Sequence, residues 1–133
     1  MKTEKEDVRN FYQNLGKLFY AIAAADKRVE TLELEKLNEL LEKRWLKADF
    51  FENVDSNEAN LVRTIFERLD NANSDAEKYF LEFINFKKQH PKLFTKDIRK
   101  SIMKTASAIA YSFSGLNKSE LIMLAKLNLE LKK

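Results

Sequence analysis

Residues 15–41 read LGKLFYAIAAADKRVETLELEKLNELL, and the change of pattern inside this run decides the fold. Leu15, Leu18, Phe19, Ile22 and Ala23 recur at three- and four-residue steps, which places them on one face of a helix. That face must be buried. Ala21 and Ala23 to Ala25 carry the helix onward through their high helix propensity, and their small side chains let a second backbone come close. Asp26 to Glu30 break the pattern. Leu32, Leu37, Leu40 and Leu41 restart it as a second amphipathic helix, with Glu33, Glu35, Lys36 and Glu39 mostly on its wet side.

The arrangement recurs 87 positions later, where Ala21, Ile22 and Ala23 fall on Ala108, Ile109 and Ala110. At that offset Val29 falls on Leu116, Glu33 on Glu120, Leu34 on Leu121, Leu37 on Leu124 and Leu40 on Leu127. Both the apolar register and the glutamate are kept. Two related helix-turn-helix units that pack face to face are expected.

The run Ala24-Ala25-Asp26-Lys27-Arg28-Val29 follows an alanine-rich apolar helix and is itself followed by Glu33. In this it resembles the TerB-like (tellurite-resistance TerB) domain, whose turn reads A-x-A-D-G-x-V with a glutamate early in the next helix. The likeness spans most of the chain, because that family has a second, weaker copy near its C-terminus, where Gly115, Leu116 and Glu120 would stand. Lys27 replaces the family's usual glycine, and Phe113 and Ser114 stand where its second aspartate is expected. The resemblance implies a non-enzymatic module that binds a protein partner, membrane-associated, in a tellurite-resistance or stress-response system. It also implies a divalent cation, Ca²⁺ or Mg²⁺, at Asp26, Glu30 and Glu33. A turn does supply backbone carbonyls beside carboxylates, the oxygen donors that hard cations take. Helix physics offers the same acids another role: Asp26 satisfies amides of the turn, while Glu30 and Glu33 cap the second helix at its positive end.

Outward from this core, the first helix begins a little after Thr3, since Val8, Phe11 and Tyr12 share its stripe. The second runs from Thr31 to Trp45. Trp45, Leu46, Phe50, Phe51 and Val54 then follow without a clean period, which suits a segment folded back on the core; the functional reading is an apolar partner patch at Trp45, Phe50 and Phe51. Capping-box patterns at Asp55-x-x-Glu58 and Ser74-x-x-Glu77 mark the next two helix starts. His90-Pro91 ends the fourth helix. A fifth follows, from Lys92 or Thr95 to Phe113, and a sixth from Lys118 to near Leu131, with Asn117 as N-cap and Glu120 at the capping-box position.

The sum is an all-α, compact antiparallel bundle of about six helices, forming one domain over residues 1–133. A chain that is 44% hydrophobic and 34% charged supports one sizeable core, and only two glycines and one proline argue against sheets and tight turns. No cysteine is present, the first ten residues are too charged for a signal peptide, and no apolar run reaches membrane-spanning length; a soluble, cytoplasmic protein is expected. His90 is the one histidine, and no phosphate-binding glycine loop exists, so an enzyme is not expected.

Charge is unevenly spread. Residues 1–85 hold 13 basic and 18 acidic side chains, whereas residues 86–133 hold 11 basic and 3 acidic. Lys92, Lys96, Lys100 and Lys104 are spaced four apart with Arg99, Lys87 and Lys88 nearby, giving the fifth helix a basic stripe. The alternative function is therefore an anion-binding module using residues 87–104 on nucleic acid or a membrane surface. No aromatics interleave the stripe, which argues against stacking on single strands.

Overall fold

The computed structural model describes residues 5–26, 29–48, 50–51, 56–112 and 117–133. Helix α1 (Lys5–Ala23) is the pillar on which most of the other elements lie. Val8, Phe11, Tyr12 and Leu15 form the expected inward stripe of its first half. Beyond Leu18 the pattern changes: every side chain from Leu18 to Ala24 is buried. One buried face is what the spacing predicts, but α3 (Asn60–Asn71), α4 (Ala76–Gln89), α5 (Lys96–Tyr111) and α6 (Lys118–Lys132) all pack on α1 and enclose it. The alanine run makes this possible by admitting neighbouring backbones. Gly16 does the same for α3, since a Cβ there would stand 2.7 Å from the Val62 carbonyl oxygen and from Ile65 Cβ.

Helix α2 (Thr31–Leu40) lies on α5 and runs on into a π-helical turn, Leu41–Trp45, closed by the Leu46 amide on the Leu41 carbonyl at 2.8 Å. Trp45 is fully buried, and its indole N–H donates to Thr105 Oγ1 at 3.0 Å. The Thr105 hydroxyl in turn donates to the Ser101 carbonyl at 2.9 Å, so the one tryptophan fastens the end of α2 to α5. Phe51 is buried edge-on against Phe11 and Tyr12, and Phe50 is half-buried against Trp45. Of the three residues read as a segment folded back on the core or an apolar partner patch, Trp45 and Phe51 are thus taken up by the core, while Phe50 remains partly exposed. Large aromatic surfaces gain more from a packed interior than from water, and the turn lets Trp45 and Phe51 fold back onto α1 and α5.

A 3₁₀ turn at Ser56–Ala59 leads into α3; the capping pattern read from Asp55 lies outside the described residues. α3 ends in a Schellman turn, with Asn73 at φ 51° and the Asn73 and Ser74 amides on the Asp70 and Leu69 carbonyls, both at 3.0 Å. That turn uses up Ser74, whose carbonyl also accepts the Tyr20 hydroxyl. The N-cap of α4 is consequently Asp75 rather than Ser74, and it accepts from the Glu77 amide at 3.1 Å. Pro91–Leu93 form a second 3₁₀ turn, after which Thr95 caps α5. Six α-helices and, among the described residues, no strand make the all-α bundle that the sequence predicts.

Candidate functional site

The two repeats meet at the N-termini of α2 and α6. Glu30 and Glu33 form a capping box at the first, with the Glu30 amide donating to Glu33 Oε1 at 2.7 Å. Asn117 and Glu120 form its counterpart, with the Glu120 amide donating to Asn117 Oδ1 at 2.8 Å. The same offset of 87 that pairs Glu33 with Glu120 pairs Glu30 with Asn117. Glu33 is only 2% exposed and Glu120 4%. This departs from the sequence expectation for Glu33, whose place on the helical wheel is the wet side; the first turn of α2 is covered because the second copy sits against it.

The two buried carboxyl groups are hydrogen-bonded to each other, which requires one proton between them. Burial, followed by that bond to Glu120, pushes the Glu33 carboxyl up to about 9; the Glu30 amide pulls it the other way, and Asp26 adds repulsion. Asn117 Nδ2 bridges the copies, donating to Glu120 Oε1 at 2.7 Å and to Asp26 Oδ2 at 2.8 Å. Asp26, Glu30 and Glu33, expected as cation ligands, are therefore gathered at one place with Glu120 and Asn117, held by hydrogen bonds. Among the described residues no three histidine, cysteine, aspartate or glutamate side chains are arranged to hold a metal ion.

The basic residues divide. Lys96, Lys100 and Lys104 stand exposed along α5, and Lys92 is exposed on the turn before it. Lys87 is buried, and Arg99 turns toward α6, where its Nη1 donates to the Leu131 carbonyl at 3.1 Å. Arg99 thus serves the last turn of a helix, which carries free carbonyls. The stripe is narrower than its spacing predicts.

A groove between α4 and α6 was not legible in the sequence. Phe80 and Ile84 line it from α4, with Leu81 on its rim; Lys126 and Leu129 line it from α6, enclosing about 440 Å³. It continues past Glu77 and Lys126 to Ile122 and Met123. Leu81 is 53% exposed, Leu129 63% and Ile122 47%. The signal that could have found it is on α6, where Leu121, Ile122 and Leu129 add apolar residues outside the buried set Leu124, Leu127 and Leu131. A helix apolar on both sides is usually covered on both. Lys126 and Glu77 pair across the groove at 3.6 Å and Lys133 pairs with Glu130 at 3.0 Å, while Lys88 at one end has no ion-pair partner among the described residues.

No helix among the described residues is long and apolar enough to cross a membrane. Comparison with known proteins finds no matching family, no matching curated protein and no matching solved structure.

Proposed function

We propose that the chain is a non-enzymatic, TerB-like binding module of the cytoplasm, whose α4–α6 groove receives an amphipathic helix from a protein partner. The observation that carries this reading is the row Leu81, Leu129 and Ile122, exposed beside a floor of Phe80 and Ile84. A cleft between two helices is shaped for a third, which enters with apolar anchors at i, i+3 or i+4, and i+7. Lys88 supplies a positive end, so the partner helix carries an acid there. Photo-crosslinking from position 129 in cells tests the reading: the adduct should map to an amphipathic segment of another protein and vanish with Leu81→Glu. Adducts on a second copy of the chain, or adducts indifferent to Leu81→Glu, would overturn it.

A second reading rests on the Glu33–Glu120 pair. A proton shared by two carboxyl groups is what a divalent cation displaces, and Asp26 is close enough to repel Glu33. Supporting it would take a melting midpoint of chelator-treated protein that rises in millimolar Ca²⁺ or Mg²⁺ and no longer does so in Glu33→Gln. Cation at about 100 times its dissociation constant would add about 2.7 kcal/mol.

A further inference from the structure

A second concavity, of about 500 Å³, opens where the π turn leaves α2, on ground that neither the groove nor the paired turns use. Leu40 and Phe50 supply its apolar wall, Ser101 of α5 borders it, and Lys43, Arg44 and Lys47 surround it. Among its described lining residues none carries a carboxylate. Lys43 is engaged with Glu39 at 2.9 Å, but that contact is exposed and Glu39 is shared with Lys36 at 2.8 Å. Arg44, half-buried, and Lys47 have no ion-pair partner among the described residues. Like charges held close together repel, and the repulsion is relieved when an anion enters.

The lining chemistry narrows the anion. A guanidinium offers a planar fork that fits two phosphate oxygens, and a neighbouring ammonium adds a point charge. Inorganic phosphate would leave most of the space empty, since concavities of about 300–1,000 Å³ are those that hold whole small molecules. Phe50 packs one side on Trp45, at 5.4 Å between ring centroids, and is itself only half-buried, which leaves aromatic surface for a flat partner. Lys100 and Lys104 flank Ser101 along α5, so the basic stripe lends its field to the same mouth.

We propose that this concavity binds a phosphorylated small molecule of the nucleotide class, its phosphate on Arg44 and Lys47 and its flat body against Phe50. The test is calorimetric titration of the full chain with AMP, ATP and inorganic phosphate at low and at physiological salt. One nucleotide per chain should bind more tightly than inorganic phosphate does. Arg44→Ala with Lys47→Ala should abolish binding while the circular dichroism spectrum stays intact. Arg44→Lys, which keeps the charge but loses the fork, should weaken it, and Phe50→Ala should erase the preference for nucleotide over phosphate. Leu129→Glu, which disables the groove, should leave the titration unchanged, so the two readings fail separately. Nucleotides binding no better than phosphate would overturn the proposal. So would binding that survives Arg44→Ala with Lys47→Ala, or capture of a single-stranded oligonucleotide or an anionic vesicle when mononucleotides are ignored.

Discussion

Glu33 shows how one residue can serve two ends. Its carboxyl caps α2 and shares a proton with Glu120. An unfolded glutamate gives up its proton near pH 4.5, whereas folded Glu33 holds it up to about 9. Across that window the native state binds more protons than the unfolded state, so this pair's contribution to stability falls as pH rises, by at most about 1.4 kcal/mol per unit, and levels off above it. Glu33→Gln keeps a donor for Glu120 and an acceptor for the Glu30 amide but removes the titration. Its melting midpoint should overtake that of the wild type as pH rises from 5 to 9, with the gap widening throughout. Glu33→Ala, which loses the cap, should melt lower than Glu33→Gln at every pH, at a cost of about 1 kcal/mol. A constant gap between wild type and Glu33→Gln would mean that no proton is shared. The sequence marks Glu33 and Glu120 as equivalents, through the repeat, but not as neighbours, because helical periodicity assigns faces and says nothing of what covers a first turn.

Among the elements, α1 carries the largest structural burden, and its approach to α3 is set by Gly16. Alanine in a helix interior ordinarily gains about 0.5–1 kcal/mol over glycine. Here the added methyl would meet the Val62 carbonyl at 2.7 Å, and a backbone atom cannot swing aside as a flexible side chain can. Overpacking costs about 1–3 kcal/mol, which exceeds the propensity gain, so Gly16→Ala should lower the urea midpoint without changing the slope. An unchanged or raised midpoint would show that α1 and α3 can separate freely. The helix boundaries were largely readable, since caps and breakers act locally: α2 starts at Thr31, α6 starts after Asn117, and Pro91 ends α4. The cap of α4 moved one residue, to Asp75, because the Schellman turn of α3 claims Ser74, and a claim made by a preceding element is invisible to a four-residue pattern.

At the scale of the whole molecule, α3, α4, α5 and α6 lean on α1, and α2 is fastened to α5 through Trp45 and Thr105. Neither hairpin has a separate interior, so the chain should unfold as one unit. Fluorescence of the sole tryptophan and far-ultraviolet dichroism should give superimposable urea curves; an earlier fluorescence transition would mean that the α2–α5 junction opens independently. By itself the sequence determined the all-α class, the helices, the caps of α2 and α6, and the internal repeat, because each follows from backbone propensity and side-chain spacing within a few turns of chain. Only the tertiary structure decided that Trp45 and Phe51 are core, that Arg99 closes α6, and that Glu33 meets Glu120. It also placed Leu81 beside Leu129 and set Arg44 and Lys47 around an open concavity. Those outcomes depend on which surfaces the packing of six helices covers and which it leaves open, and burial of that kind is a property of the assembled bundle, absent from any single stretch of the chain.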